Sequence, residues 1–263
     1  MSVLAGWWRR WRRGLGLAAL LGVAAHAQTL PHPPAASSPQ RPEIRFALGQ
    51  SWAPPFLLQS PGQAPAGLLV ELMGEIAQQA GARARFIPLP PRRVDAALDA
   101  GQVDMHCFLS PAWMPEPADS PRWSVALLQL EDVLVGPPGA SLPPSGVPDG
   151  ETVGVVAGYS YPALAPRFDT GALLRDEAPS QQHALDKVLH GRNRYALVNR
   201  QTLDWFNRQH PPAQRLASLQ VLGSASVHCL LARRTGLPAP QLLAAVARAV
   251  RSPQWRSIQQ RYR

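Results

Sequence analysis

The sequence predicts an α/β protein of two lobes, each a mostly parallel sheet flanked by helices, with a cleft between the lobes. Two observations support this prediction. Short apolar strands alternate with amphipathic helices in the first half of the chain, and the same alternation begins again near residue 150. Because ligands of open α/β sheets bind beyond the carboxyl ends of the strands, two facing lobes predict a site in the cleft.

The first unit begins with a strand-like run over residues 44–48. Residues 67–81 then place apolar side chains at helical spacing and end at a glycine. A strand over 85–88, a helix over 92–100 and a strand over 103–109 follow. This strand–helix–strand–helix–strand order predicts a parallel sheet with helices on its faces.

The second unit has the same kind of order. We predict alternating strands and helices over residues 152–156, 180–191, 195–198, 202–209, 227–232 and 240–250. An extended segment over 127–135 connects the two units. These elements divide the chain into a first part of lobe 1 over 43–130, lobe 2 over 131–200, and a return to lobe 1 with C-terminal helices over 201–263.

The N-terminal residues predict an export signal over 1–27. A stretch with four arginines precedes an uncharged apolar run over 14–25, and Ala25-His26-Ala27 is a small-x-small cleavage site. The apolar run is shorter than the ~20 residues that a membrane-spanning helix needs. Residues 28–42 are rich in Pro, Ser and Ala and predict a disordered leader. We therefore expect a protein free in the periplasm.

The net charge of +9 overstates the basicity of the exported protein. Four of the 26 basic residues, and none of the 17 acidic ones, lie in residues 1–27, so cleavage leaves a net charge of +5. The remaining arginines are scattered along the chain. A nucleic-acid surface needs clustered basic residues, so we expect no nucleic-acid partner.

Six short segments, in the same order and spacing, resemble the family 3 bacterial extracellular solute-binding proteins, the amino-acid-type periplasmic binding proteins with the type II fold. They are residues 51–56 (SWAPPF), 67–72 (GLLVEL), 97–104 (ALDAGQVD), 122–124 (RWS), 150–158 (GETVGVVAG) and 189–198 (LHGRNRYALV). The resemblance covers residues 44–262. It implies a monomeric clamp without a cofactor, which closes on a small polar solute and delivers it to an ABC permease in the inner membrane.

The loop after the first strand supplies the first candidate ligand contacts. Trp52 and Phe56 stand in this loop, and aromatic faces in a cleft bind the apolar part of a solute or stack on a cation. The alternative for Phe56 is that Pro54 and Pro55 turn its ring into the core.

Gly158, Tyr159 and Ser160 lie between a predicted strand and a short predicted helix. Free backbone N–H groups at such a helix start favour an anionic group of the ligand. Ser160 also suits a structural role as the N-cap of that helix, and the two roles are compatible.

Two departures from the family bear on the solute. Asn199 follows a predicted strand where the amino-acid binders place an Asp that holds the ligand's ammonium group. In residues 110–117, Glu116 or a proline falls where those proteins carry an Arg for the α-carboxylate. Ser110 and Trp113 remain candidate lining residues, and Arg122 is a candidate replacement for the Arg. The departures argue against standard amino-acid recognition.

Cys107 and Cys229 each follow a histidine, in His106-Cys107 and His228-Cys229. In the family fold the two strands belong to one lobe, so the resemblance implies a disulfide if the Cα atoms lie close enough. Two unpaired buried cysteines are the alternative. A metal site of both Cys–His pairs is disfavoured, because neighbouring residues of a strand face opposite ways.

We predict no enzymatic activity. Residues 158–162 weakly resemble a nucleophile elbow, but proline replaces the final glycine and no partner histidine or aspartate stands in a recognisable motif. A few members of the fold are dehydratases. Two further alternatives remain: a ligand-sensing subunit for a membrane receptor, and a clamp that no longer binds a solute.

Overall fold

A computed structural model describes residues 41–60, 62–114 and 116–263. The predicted export signal and the leader up to residue 40 lie outside the described residues. Within the described ranges, no helix has both the length and the apolar character that crossing a membrane requires.

Eight strands of the described chain form one sheet in the order β2-β1-β3-β8-β4-β7-β5-β6. The strands are β1 Glu43–Gly49, β2 Arg83–Leu89, β3 Met105–Leu109, β4 Leu128–Gly136, β5 Thr152–Val156, β6 Leu174–Ala178, β7 Tyr195–Asn199 and β8 Ala217–Leu231. The helices are α1 Leu68–Gln79, α2 Val94–Asp99, α3 Ala165–Asp169, α4 Gln181–Leu189, α5 Arg200–Arg208, α6 Ala239–Arg251 and α7 Pro253–Arg261.

Two long antiparallel strands, β4 and β8, join the lobes. The parallel strands β1, β2 and β3 form lobe 1, and the C-terminal end of β8 pairs with β3. The parallel strands β5, β6 and β7 form lobe 2, and β4 pairs with β7. Since β4 and β8 pair along most of their length, the two lobes share one continuous connection through this pair.

The predicted helix periodicity is confirmed in α1. Leu69, Leu72, Met73 and Ile76 are fully buried and pack against the lobe 1 sheet together with α6 and α7. Burying each such side chain contributes about 1.5–3 kcal/mol, so this face fixes α1 on the sheet. The opposite sheet face is covered by α2, through Val94, Ala97 and Leu98 among others.

The return to lobe 1 lies later in the chain than the predicted boundary at residue 200. Leu203 and Phe206 of α5 are buried in the same cluster as Val133 of β4 and Leu185 of α4. Helix α5 therefore belongs to lobe 2, and the chain returns through β8. Strand β8 starts at Ala217, ten residues before the predicted strand, and its first residues are mostly exposed or half-buried.

Cys107 of β3 and Cys229 of β8 are register partners and form a disulfide. Both are fully buried in the lobe 1 core. The adjacent His106 and His228 bond separately, to the carbonyl oxygens of Ala47 and Ser124. The described residues contain no group of three or more side chains that could hold a metal ion.

Candidate ligand-binding cleft

A cavity of about 240 Å³ lies where the two lobes meet. Lobe 1 contributes the loop after β1, the start of α2, and the end of β3 with the turn that follows it. Lobe 2 contributes the loop after β5, the start of α4 and the end of β7, while β4 forms the floor between the lobes. The cavity is slightly smaller than the about 300–1,000 Å³ of sites for drug-sized ligands, which suits a small solute.

Trp52 lines this cavity, as predicted, and is held rigidly. Its ring stacks on His106 with centroids 5.3 Å apart and meets the edge of Phe108 at 5.7 Å. Gly49 makes this position available, because a Cβ atom there would lie 2.4 Å from the indole nitrogen. The indole therefore presents a fixed aromatic face to the cleft.

The structure places Phe56, the other predicted ligand contact of this loop, in the core of lobe 1. Phe56 is 1% exposed, packs against Phe108 with centroids 4.5 Å apart, and does not line the cavity. The structure agrees with the alternative, in which the turn at Pro54 and Pro55 directs the ring into the core of lobe 1. Phe56 therefore supports the cavity wall from behind through Phe108.

Gly158, Tyr159 and Ser160 line the cavity from lobe 2 and touch lobe 1. The Ser51 hydroxyl donates a hydrogen bond of 3.0 Å to the Tyr159 hydroxyl across the cleft. Gly158 has φ 77°, and a Cβ atom there would lie 3.4 Å from Cγ of Arg92. The two lobes are therefore in direct contact at the mouth of the cavity.

The helix start that was predicted directly after residues 158–160 lies further along the chain. Helix α3 begins at Ala165 and has five residues, and its N-cap is Leu164 rather than Ser160. The segment before it is instead fixed by Tyr161, whose hydroxyl accepts a hydrogen bond of 2.7 Å from the N–H of Val156. Ser160 remains a lining residue without the capping role.

Asn199 lines the cavity at the end of β7 and is 4% exposed. Its backbone N–H donates to Oε1 of Gln181 at 2.9 Å, and its Oδ1 accepts from the hydroxyl of Thr202 at 3.0 Å. These bonds orient the side chain. Since Oδ1 has a donor, the amide NH₂ is the group that Asn199 has available to a ligand.

Trp113 lines the cavity, as predicted, but Ser110 does not. The Ser110 hydroxyl accepts from the N–H of Ala112 at 3.4 Å and so caps the short 3₁₀ helix Pro111–Trp113. The Ser110 side chain therefore serves the turn that positions Trp113.

Arg122 does not replace the missing arginine of the cleft. Its guanidinium forms an ion pair of 2.7 Å with Glu116 and donates to the carbonyl oxygen of Leu231 at 2.7 Å. Both side chains lie outside the cavity, with only 14% and 13% exposed. The two charged residues near the expected position therefore neutralise each other.

Several lining residues were not predicted from the sequence, and His106 and Asp132 are two of them. Burial lowers the pKa of His106 to about 4, so its ring is neutral near pH 7, and burial raises the pKa of Asp132 to about 6. A sequence signal for Asp132 did exist. It is a charged residue inside the apolar extended segment that was predicted to connect the lobes.

No protein-family model and no curated protein matches this sequence. Solved structures do match its fold. An ancestral arginine-binding protein bound to arginine superimposes with a TM-score of 0.68 at 14% identity, over 85% of this chain and 99% of the other. This chain has the two-lobed type II fold of periplasmic binding proteins.

Two further structures show the range of proteins with this fold. The VFT2 domain of BvgS from Bordetella pertussis matches with a TM-score of 0.62 at 17% identity, over 84% of this chain and 94% of the domain. AncCDT-1, an ancestral amino-acid-binding protein and precursor of cyclohexadienyl dehydratase, matches with a TM-score of 0.63 at 11% identity, over 84% and 95%. At these identities the likeness shows the fold, and the ligand has to be inferred from the cleft.

Proposed function

We propose that this chain is a periplasmic solute-binding protein that captures a small polar solute between its lobes and delivers it to an ABC permease. The observation that supports the proposal is the composition of the cavity wall, in which aromatic and polar side chains from both lobes face one space. Trp52 and Trp113 come from lobe 1, and Tyr159 and Asn199 from lobe 2. A few polar groups among apolar ones are typical of small-molecule sites.

The same arrangement couples binding to lobe closure. A solute in this cavity contacts both lobes at once, so its binding energy favours the closed arrangement over an open one. The strand pair β4 and β8 is the natural hinge, because it forms the continuous connection between the lobes. Closure of two domains around a ligand is a common way in which binding is signalled to a partner.

A ligand-sensing subunit for a membrane receptor is the second candidate, since the BvgS VFT2 domain has this fold. A dehydratase-type enzyme is the third, since AncCDT-1 is named as the precursor of one. Transport and sensing both require that the cleft bind a ligand, and they differ in the protein that recognises the closed form. Catalysis differs in the fate of the ligand.

A thermal-shift screen tests the proposal. The purified protein is melted with amino acids, polyamines, sugar acids, aromatic acids and small cations. A solute at a hundred times its dissociation constant adds about 2.7 kcal/mol, which corresponds to a rise in Tm of about 5–10 °C for this size. If no solute raises the Tm of the folded protein, the binding proposal is wrong.

The fate of the hit separates a clamp from an enzyme. We expect the bound solute to be recovered unchanged by mass spectrometry after prolonged incubation with the protein. Stoichiometric recovery supports a binding protein, and conversion beyond one equivalent assigns the cleft to catalysis. Cross-linking of the closed, liganded protein in membranes then distinguishes a permease from a receptor as the partner.

A further inference from the structure

Among the described residues that line the cavity, Asp132 is the one that carries a charge on a strand shared by both lobes. It stands in the middle of β4 and forms part of the cavity floor. Its register partners are Asn199 on β7 and Gly223 on β8, neither of which is charged. The carboxylate is therefore placed where a solute would meet both lobes.

The Asp132 carboxylate has no partner among the described residues. No hydrogen bond or ion pair lowers its pKa, which burial alone raises to about 6. The preceding residue differs, because Glu131 accepts a charged hydrogen bond from Nε of Arg200. Burying a carboxylate without a hydrogen-bond donor costs folding free energy. Such a group is expected where a bound ligand supplies the missing donor.

Two other charged residues line the cavity. Arg92 of the 3₁₀ helix before α2 and Asp95 at the start of α2 are opposite in charge, and both are solvent-exposed. Since His106 is neutral, Asp132 is the charged residue of the described cavity lining that is partly buried.

His106 and two tryptophans that line the cavity with Asp132 also suit a positively charged partner. Nδ1 of His106 donates to the carbonyl oxygen of Ala47 at 3.0 Å, so the neutral ring carries its lone pair on Nε2 and is an acceptor there. Trp52 and Trp113 add aromatic faces, which attract cations. The anion-binding helix start that would favour a carboxylate is absent after β5 in the described chain.

On the basis of the proposed function, we infer that the solute is a cation, an amine or a guanidinium compound whose charged nitrogen binds against the Asp132 carboxylate. Asp132 in this way supplies the negative charge that binds the cation, since Asn199 is neutral. The indole rings of Trp52 and Trp113 contact the carbon chain or the charged group.

Isothermal titration at pH 7.5 with probes of different charge tests this inference. Cadaverine and lysine carry ammonium groups on a five-carbon chain, 1,5-pentanediol is neutral, and glutarate is an anion; agmatine and arginine test a guanidinium. The variants are Asp132→Asn, which keeps the shape, and Asp132→Glu, which keeps the charge. Asp169→Asn is the matched control, since Asp169 is exposed on α3 and outside the cavity.

We expect at least one cationic probe to bind the wild type and Asp169→Asn equally. Asp132→Asn should bind it about 10- to 100-fold more weakly, the effect of losing one charged hydrogen bond. Asp132→Glu should retain more affinity than Asp132→Asn, and thermal unfolding of each variant confirms that it is folded.

Two other results have distinct meanings. Tighter binding of glutarate or 1,5-pentanediol than of every cation, or cation binding unchanged in Asp132→Asn, overturns the cationic solute and leaves the clamp intact. If neither these probes nor the wider thermal-shift panel bind the folded wild type, the proposed function itself fails, and this inference fails with it.

Discussion

Two regions that share strand β3 differ in whether their buried polar groups have partners within the chain. At the joint between β3 and β8, which contains Asp104, Cys107 and Cys229, each of these three groups has a partner within the chain. Asp104 accepts hydrogen bonds from Arg45 and from the N–H of Gly236, and the two cysteines form a disulfide.

In the cleft wall, which contains Trp52, His106 and Asp132, the Asp132 carboxylate has no such partner among the described residues. Burial alone would raise the pKa of both aspartates. At Asp104 the bonds from Arg45 and Gly236 outweigh burial and lower the pKa, whereas at Asp132 nothing does and the pKa rises to about 6. The difference teaches that burial is offset by hydrogen bonds at the joint and is not offset at Asp132.

Removing the disulfide should have the largest effect on the joint. The double variant Cys107→Ala/Cys229→Ala should lose about 2–4 kcal/mol of unfolding free energy, because the bridge closes a loop with a sequence separation of 122 residues. Urea denaturation measures this loss. Reduced wild type should match the variant, and equal stability of reduced and oxidised protein would show that the bridge contributes nothing.

Asp104→Asn should have the next largest effect. Its side chain is 2% exposed and its loss leaves Arg45 without its charged partner, so we expect a decrease of about 2–3 kcal/mol in unfolding free energy. Urea denaturation beside Asp169→Asn, which should lie within about 0.5 kcal/mol of wild type, measures it. Solute affinity should stay unchanged. A matching loss of affinity would show that the joint also contributes to binding.

His106 should make stability depend on pH from the cleft side. Its pKa is about 4 in the folded protein, against an ordinary value of 6.5 for a histidine in an unfolded chain. The unfolded chain therefore binds the proton first, and stability falls as pH falls below 6.5. Between pH 7 and 5.5 the loss of unfolding free energy due to His106 amounts to about 1 kcal/mol.

The comparison of wild type with His106→Gln by thermal melts over this range isolates the histidine. Asp132 has the opposite sign, since its raised pKa adds stability at low pH and loses it as pH rises through about 6. The His106→Gln profile should therefore show less loss of stability toward acid than wild type. Identical slopes would place His106 outside the buried cleft wall.

Periodic features were predictable from the sequence because they depend on local spacing. The apolar residues of α1 repeat at helical intervals, and the alternation of strands and helices restarts in the second half, so helix and fold class follow from the pattern. Trp52 was predictable as a lining residue because it stands in a loop at the end of a strand.

Other features depend on contacts between distant residues. Trp52 and Phe56 occupy one loop, and only the position of Phe108 decides which ring faces the cleft. The lobe of α5 depends on the pairing of β4 with the whole of β8, which no local pattern reports. Asp132 was visible as a charge within an apolar strand, but that it lacks a partner among the described residues depends on which side chains face it in the fold.

The stability of Asp132→Asn without ligand, measured by thermal unfolding at pH 7.5, tests the central claim most directly. A pKa of about 6 against an ordinary 3.8 sets an upper limit of about 3 kcal/mol, and partial exposure reduces the expected gain to about 1–2 kcal/mol. We predict that Tm rises by about 2–6 °C, while the shift induced by a cationic solute becomes smaller than in the wild type. A fall in Tm would mean that Asp132 is a structural residue with partners of its own, and would contradict the account.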